Sequence, residues 1–349
     1  MIFSLLCACV VQVCEDTKKA VKFIYSHQKS LALYRESAKH ELQKWCPTRF
    51  GTVYITCASC LKEQTAMRRM AVDSRYVEWA ATKQYKSIAT EVKKVLLSEL
   101  YWEKMHVVVD ITEHVFKVLR LLDSDKPTMG WVYLWMHRLV KKISELKIVP
   151  NIFSQRDMQL LKKNVNDRWE SMHVDIHGAG FMLNPFVNST GYMSNLKPSA
   201  LAEVKRNMKN VVMRFFPDCR EKRLQFDREI SEYENQMGDF GADDAVYASQ
   251  QEHELDIAQW WQSNGAACPV LQYVAMQVAS QTTVASACER NWSAQKFIQG
   301  GRAAGLSPAN LDKRVFAYAN LRLEKKMHAD FFVGCAFDEP MPSDSDSDE

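Results

Sequence analysis

Between positions 102 and 119 the residues Trp102, Met105, Val109, Thr112, Phe116 and Leu119 return every three or four places, and Val108, Val115 and Leu122 widen the row. Only an α-helix gathers residues at that spacing onto one face. The inner fragment HVVVDIT, taken alone, reads as a buried strand ending in an aspartate, a setting in which metal-binding aspartates are often presented. The longer window overrides it and puts Asp110 on a helix flank. With 12 glycines and 10 prolines in 349 residues, the chain also has few of the breakers that a many-turned β fold requires. The expected fold class is mainly α, with at most a short strand near the N-terminus or before residue 286.

Other segments carry the same period. Helices are expected over 17–34, from Thr48 as a cap through Phe50, Val53, Tyr54 and Cys57 to Leu61, over 131–143 and 157–173, and from Leu201 to Phe215 before Pro217. HGAGFMLNP (177–185), with its glycines and its Asn-Pro, is expected to break a helix. Residues 222–250 read as helix plus linker. A segment closing on Trp260 and Trp261 follows, then helices opening at Pro269, ending at Ile298 and opening again at Ser307-Pro308. The last of these is expected to bury Leu311, Val315, Tyr318 and either Leu321 or the stem of Arg322, with Phe316 and Leu323 widening the stripe. Trp261 and Trp292 are expected in the core.

Apolar residues make up 47% and charged residues 25% of the chain, the balance of a globular protein. The net charge of +3 conceals an asymmetry, because the last twelve residues, DEPMPSDSDSDE, hold six acids and no base. Without them the chain carries about nine net positive charges, which is compatible with nucleic acid without requiring it. The tail, 327–349, is expected to be disordered and solubilising, and its serines stand beside acids in a setting that suits phosphorylation. Ten cysteines at irregular spacing outline no disulfide framework. Cys57 and Cys60 form a lone CxxC, half a zinc site, and read as buried thiols in a reducing compartment. The opening run IFSLLCACVVQV has no basic flank and is too short to cross a bilayer, so a buried element is expected, a signal peptide being the alternative. His173 and His177, four apart, could share a metal only with a third ligand; hydrogen bonding is the expected role.

The stretch WWQSNGAACPVLQYVAMQVASQTTVASACERNWSAQKFI, followed by RAAGLSPANLDKRVFAYANLRLEKK, resembles the C-terminal block of hAT-family transposases. Upstream, TRF (48–50), LRLLDSDKPTMG (119–130), DRWESMHVDIHGAGFMLNP (167–185) and Phe240-Gly241 fall in that family's order, so the resemblance runs over about 12–326. It implies a helical insertion domain, over 17–250, behind an apolar segment, 1–16. It further implies the C-terminal part of an RNase H-like core with the hAT dimerisation region, over 251–326. Transposases of this family hold divalent metal between two aspartates and a glutamate, and the glutamate maps to Glu289. Three carboxylates can organise two Mg²⁺ ions around a reacting phosphate, whereas one cannot. The strands that bring the aspartates, and the family's zinc finger, have no match here.

Glu289 is therefore expected to be vestigial, with no metal or other cofactor unless an intact site exists. The resemblance implies a protein without enzymatic activity that associates with itself or a related hAT protein through Trp260, Trp261, Trp292, Leu311, Val315, Phe316, Tyr318, Leu321 and Leu323. Non-specific DNA contact is expected from Lys141, Lys142, Lys162, Lys163, Lys205, Arg206, Arg290 and Arg302. Gly300-Gly301 and Ala303-Ala304 stand where basic residues are usual in the family, which weakens DNA contact at that turn. The expected location is the nucleus, with no membrane partner. The alternatives are an active DNA transposase with unrecognised carboxylates and a truncated transposon product without function.

Overall fold

The computed structural model describes residues 8–46, 51–81, 86–124, 126–283, 286–300 and 307–327. In chain order its helices are α1 (Ala8–Ser26), α2 (Gln28–Arg35), α3 (Thr52–Lys62), α4 (Gln64–Val72), α5 (Ser74–Ala80), α6 (Lys86–Leu96), α7 (Glu99–Leu122), α8 (Val132–Ser144) and α9 (Gln155–Met172). They continue as α10 (Asp175–Met182), α11 (Pro185–Ser189), α12 (Pro198–Phe215), α13 (Arg220–Glu234), α14 (Asp243–Gln250), α15 (Ile257–Asn264), α16 (Pro269–Ala279), α17 (Ser286–Gln299) and α18 (Pro308–Met327). The described residues form no strand, only an isolated antiparallel bridge between Val149 and Phe153. The mainly α fold is as expected. Thr48, Phe50, residues 1–7 and the acidic tail from 328 lie outside the described residues.

Two compact units divide the chain. One comprises Met1–Leu119 with Met136–Met172, the other Arg120–Trp135 with His173–Glu349. These limits differ from the family-derived ones: position 16 falls inside α1, and 250 falls inside the second unit. The chain enters the second unit in the last turn of α7, returns along α8 and re-enters at His173, so packing does not follow sequence order.

In the first unit, α1, α2, α3, α4, α6 and α7 converge on a core that includes Ile24, Tyr34, Met67, Met70, Trp102 and Met105. The α7 stripe packs as its spacing requires: Trp102, Met105, Val108, Thr112 and Phe116 are all buried. Several polar groups inside are partnered. The Trp102 indole donates to Leu96 O at 2.8 Å, and Thr17 shares a 2.8 Å hydrogen bond with the Tyr101 hydroxyl. The buried Glu63 carboxylate accepts from the backbone N–H groups of Lys39 and His40, each at 3.1 Å. Cys14, Cys57 and Cys60 are buried free thiols. Burial pushes the Cys60 thiol up to about 12, and hydrogen bonding to Cys14, with burial, pushes Cys57 well up. Both are thereby poor nucleophiles.

In the second unit the segment expected to break a helix does not. HGAGFM lies within α10. Its glycines serve close approach: a Cβ on Gly178 would stand 2.5 Å from the Asn207 carboxamide, and one on Gly180 would stand 2.8 Å from Met129 O. α10 thus lies flush against α12 and against the 3₁₀ turn Met129–Trp131. The break comes at Asn184, whose side chain accepts from Phe186 N at 3.0 Å to cap α11 and donates to Gly130 O at 3.0 Å.

A polar cluster fastens α10 to α12. Asn207 is satisfied with its carboxamide oxygen accepting from His173 Nε2 at 2.7 Å and its nitrogen donating to Asp175 Oδ1 at 3.2 Å. His173 Nε2 lies 3.1 Å from Glu203 Oε1, and Arg214 pairs with Asp175 at 3.1 Å. His177 Nδ1 accepts from Val174 N at 3.2 Å, which it can do only when that nitrogen is unprotonated. Burial, followed by the neighbouring His173, lowers the His177 pKa to about 4, and burial lowers His173 as well.

Two outcomes are expected. Replacing Gly180 by Ala improves helix propensity by about 1 kcal/mol but drives a methyl group into backbone. The overpacking should prevail, with a net loss of ~1–3 kcal/mol in urea unfolding, and Gly178→Ala, which meets a side chain, should cost less. Stability should also depend on pH. The unfolded chain protonates its histidine near pH 6.5 and the folded chain only near 4, so the contribution is full above 6.5 and is lost as pH falls towards 4. The slope should reach at most ~1.4 kcal/mol per pH unit for each histidine and flatten in His177→Gln. A pH-independent unfolding midpoint over that window would refute this assignment.

Candidate dimerisation surface

The C-terminal helices are anchored by an aromatic group in the second unit. Asp256 caps α15, its carboxylate accepting from Gln259 N at 3.0 Å, and places Trp260 and Trp261 inward. The Trp260 indole donates to Ala245 O at 2.9 Å and that of Trp261 to Leu183 O at 2.8 Å. Phe240 stacks on Trp260 with centroids 6.0 Å apart, and Tyr233 lies 4.7 Å from Trp261. Each indole thus buries its ring while its N–H finds a carbonyl. Both tryptophans are core residues.

The next helix is aligned from both ends. Pro269 begins α16, and the buried Glu229 of α13 accepts from Leu271 N at 2.7 Å, placing a carboxylate at the positive end of the helix. After Ala279 the break Ser280–Thr283 is clamped to the 122–129 turn. Thr283 Oγ1 donates to Leu122 O at 2.9 Å, and Met129 N donates to Gln281 O at 3.3 Å. Two segments more than 150 residues apart in sequence are joined at this point.

Beyond it, α17 and α18 pack on each other and only marginally on any other element among the described residues. Ala294 and Leu311 are buried, Val315 is half-buried, and Phe297 lies 6.5 Å from Tyr318 between ring centroids. The other large side chains face outward: Trp292 is 71% exposed, Phe297 75%, Phe316 72%, Leu321 59% and Tyr318 38%. Trp292 is therefore not a core residue here, because no further layer covers α17 among the described residues. Leu321, Tyr318 and Phe316 are likewise exposed where burial was expected, since Leu311 and Val315 take the side towards α17. Phe297 carries no periodic signature; five positions after Trp292, it belongs to no helical stripe. The side chain of Leu323 lies outside those described.

Glu289 is exposed and shares a helix face with Trp292 and Lys296, three and seven positions on. No three His, Cys, Asp or Glu side chains converge on a possible metal position among the described residues. Asp110 lies on α7, exposed, as the helical period required.

The basic residues are dispersed. In the first unit, Lys141 is exposed on α8, Lys142 lies 3.7 Å from Glu145, Lys162 is half-buried on α9, and Lys163 pairs with Asp167 at 2.6 Å. In the second, Lys205 lies 3.9 Å from Glu234 and Arg206 is exposed, both on α12. The side chain of Arg290, and all of Arg302, lie outside the described residues. No described helix is long and apolar enough to cross a membrane.

Comparison with known proteins bears on this surface. No curated protein matches the chain. Residues 238–321 match the hAT family C-terminal dimerisation region. The match opens at the turn carrying Phe240, ahead of the expected start at 251, and takes in α14, α15, α16, α17 and most of α18. Phe240, Trp260, Trp261 and the exposed helix pair thus fall within the matched stretch, and residues 238–321 are similar to the hAT family C-terminal dimerisation region.

Proposed function

We propose that the chain is a transposase-derived association protein that pairs with a second copy, or with a related hAT protein, through the outer faces of α17 and α18, and that it does not itself cut or join DNA. The observation that carries this reading is the apolar surface of Trp292, Phe297, Phe316 and Leu321, exposed within the matched dimerisation region. Burying a large apolar side chain contributes roughly 1.5–3 kcal/mol. Several of them, contributed by both partners, can exceed the ~4–15 kcal/mol cost of bringing two chains together. The non-catalytic part of the proposal is supported by the exposure of Glu289 on the Trp292 face of α17. Divalent metal has no role in this reading. Weak, non-specific DNA contact through exposed Lys141, Lys163 and Arg206, an RNase H-like ancestry for the C-terminal portion and a nuclear location belong to the same proposal.

Light scattering at micromolar concentration should give about twice the 40.2 kDa chain mass. Phe316→Asp combined with Leu321→Asp should give a monomer with unchanged circular dichroism, since both side chains are exposed in the single chain. A wild-type monomer at that concentration refutes the pairing. Incubation of the protein with duplex DNA and Mg²⁺ or Mn²⁺ should yield no cleavage or strand joining. Metal-dependent cleavage lost in a folded Glu289→Gln variant would establish an enzyme instead.

A further inference from the structure

The second unit has a groove remote in sequence from the helix pair, between α12 and α13, of about 450 Å³. Its floor is apolar, formed by Met182, Met208, Val212 and Phe226, and the exposed side chains of Met213 and Leu224 extend that apolar surface to the rim. The rim is cationic, with Lys205, Lys209, Arg220 and Arg223 against the two carboxylates Asp227 and Glu234. Glu234 lies 3.9 Å from Lys205, and Arg223 is engaged with Pro217 O at 2.7 Å. Lys209 and Arg220 make no ion pair among the described residues and are exposed. An apolar trough edged by two unpaired cations suits a segment with apolar side chains followed by acids.

This chain contains such a segment. Residues 331–337 read FFVGCAF, and 338–349 read DEPMPSDSDSDE, with six acids and no base. The order matches the groove: large apolar side chains for the floor, carboxylates for the rim. An extended chain covers ~3.3 Å per residue, so the stretch from 328 to 349 can span several tens of ångströms. Tethering gives it an effective concentration on the order of millimolar.

We infer that the groove between α12 and α13 docks the chain's own acidic C-terminal segment, 331–349, with the apolar part on the Met208–Phe226 floor and the acids against Lys209 and Arg220. The docked segment occupies a cationic surface that would otherwise attract other polyanions. Phosphate on Ser343, Ser345 or Ser347 adds about −1.5 to −2 charges each and tightens the docking.

Zero-length carbodiimide cross-linking of the full chain tests this directly, because an amide forms, with loss of water, only where a carboxylate touches a lysine amine. Links from 338–349 should concentrate on Lys205 and Lys209. They should fall on the order of tenfold in Arg220→Glu, which reverses the rim charge and leaves both lysines in place, and in high salt. Links spread evenly over remote exposed lysines such as Lys163, or unchanged in Arg220→Glu with the fold intact by circular dichroism, would overturn the inference. So would a loss of duplex DNA binding in Arg220→Glu with the tail links intact, which would assign the groove to nucleic acid. These outcomes are independent of whether the helix pair dimerises.

Discussion

The second unit is organised around the flush contact of α10. Because Gly178 and Gly180 have no side chains, the helix comes within reach of Asn207 on one side and of the Met129–Trp131 turn on the other. Everything that follows is referred to that contact. Leu183 O, at its end, receives the Trp261 indole, and Asn184, just beyond, holds Gly130 O. The turn held by α10 in turn clamps the Ser280–Thr283 break through Thr128 and Met129. A bulkier residue in α10 would therefore disturb the platform from which α17 departs, although it touches none of the exposed apolar residues.

The polar cluster beside α10 is organised as a structural fastening. Each histidine already faces a partner supplied by α12 or by the turn before α10, and burial keeps both in their neutral form. A pair of histidines four apart on an exposed helix face could recruit a metal; here one is directed to a carboxamide and a carboxylate, the other to a backbone N–H.

Much of the architecture was legible in the sequence because local period and burial coincide. The α7 stripe and the helix opening at Pro269 follow from spacing and breakers. HGAG was misread because a glycine's packing role depends on the surface it meets, here Met129 and Asn207, which no local window contains. Trp292 was misread for a related reason: it sits on a helix like Trp261, and only the absence of a covering layer on α17 among the described residues sets them apart. The arginines of the α12–α13 groove escaped notice because they look like ordinary solvated helix faces until two helices bring them to one rim. The family resemblance located the C-terminal module, but its start at 238 and the division of the chain into two units depended on packing across long separations.

A helix pair whose contacts are mostly mutual is a weakly insulated part of the fold. Its persistence would then be governed by mass action, since a partner that binds only the ordered pair stabilises it in proportion to the logarithm of its concentration. Made in excess of its partner, the chain would display Trp292, Phe297 and Phe316 as an aggregation-prone, proteolytically vulnerable patch. The abundance of the folded protein would then follow the abundance of whatever chain it meets, so that partner availability and protein turnover become one quantity.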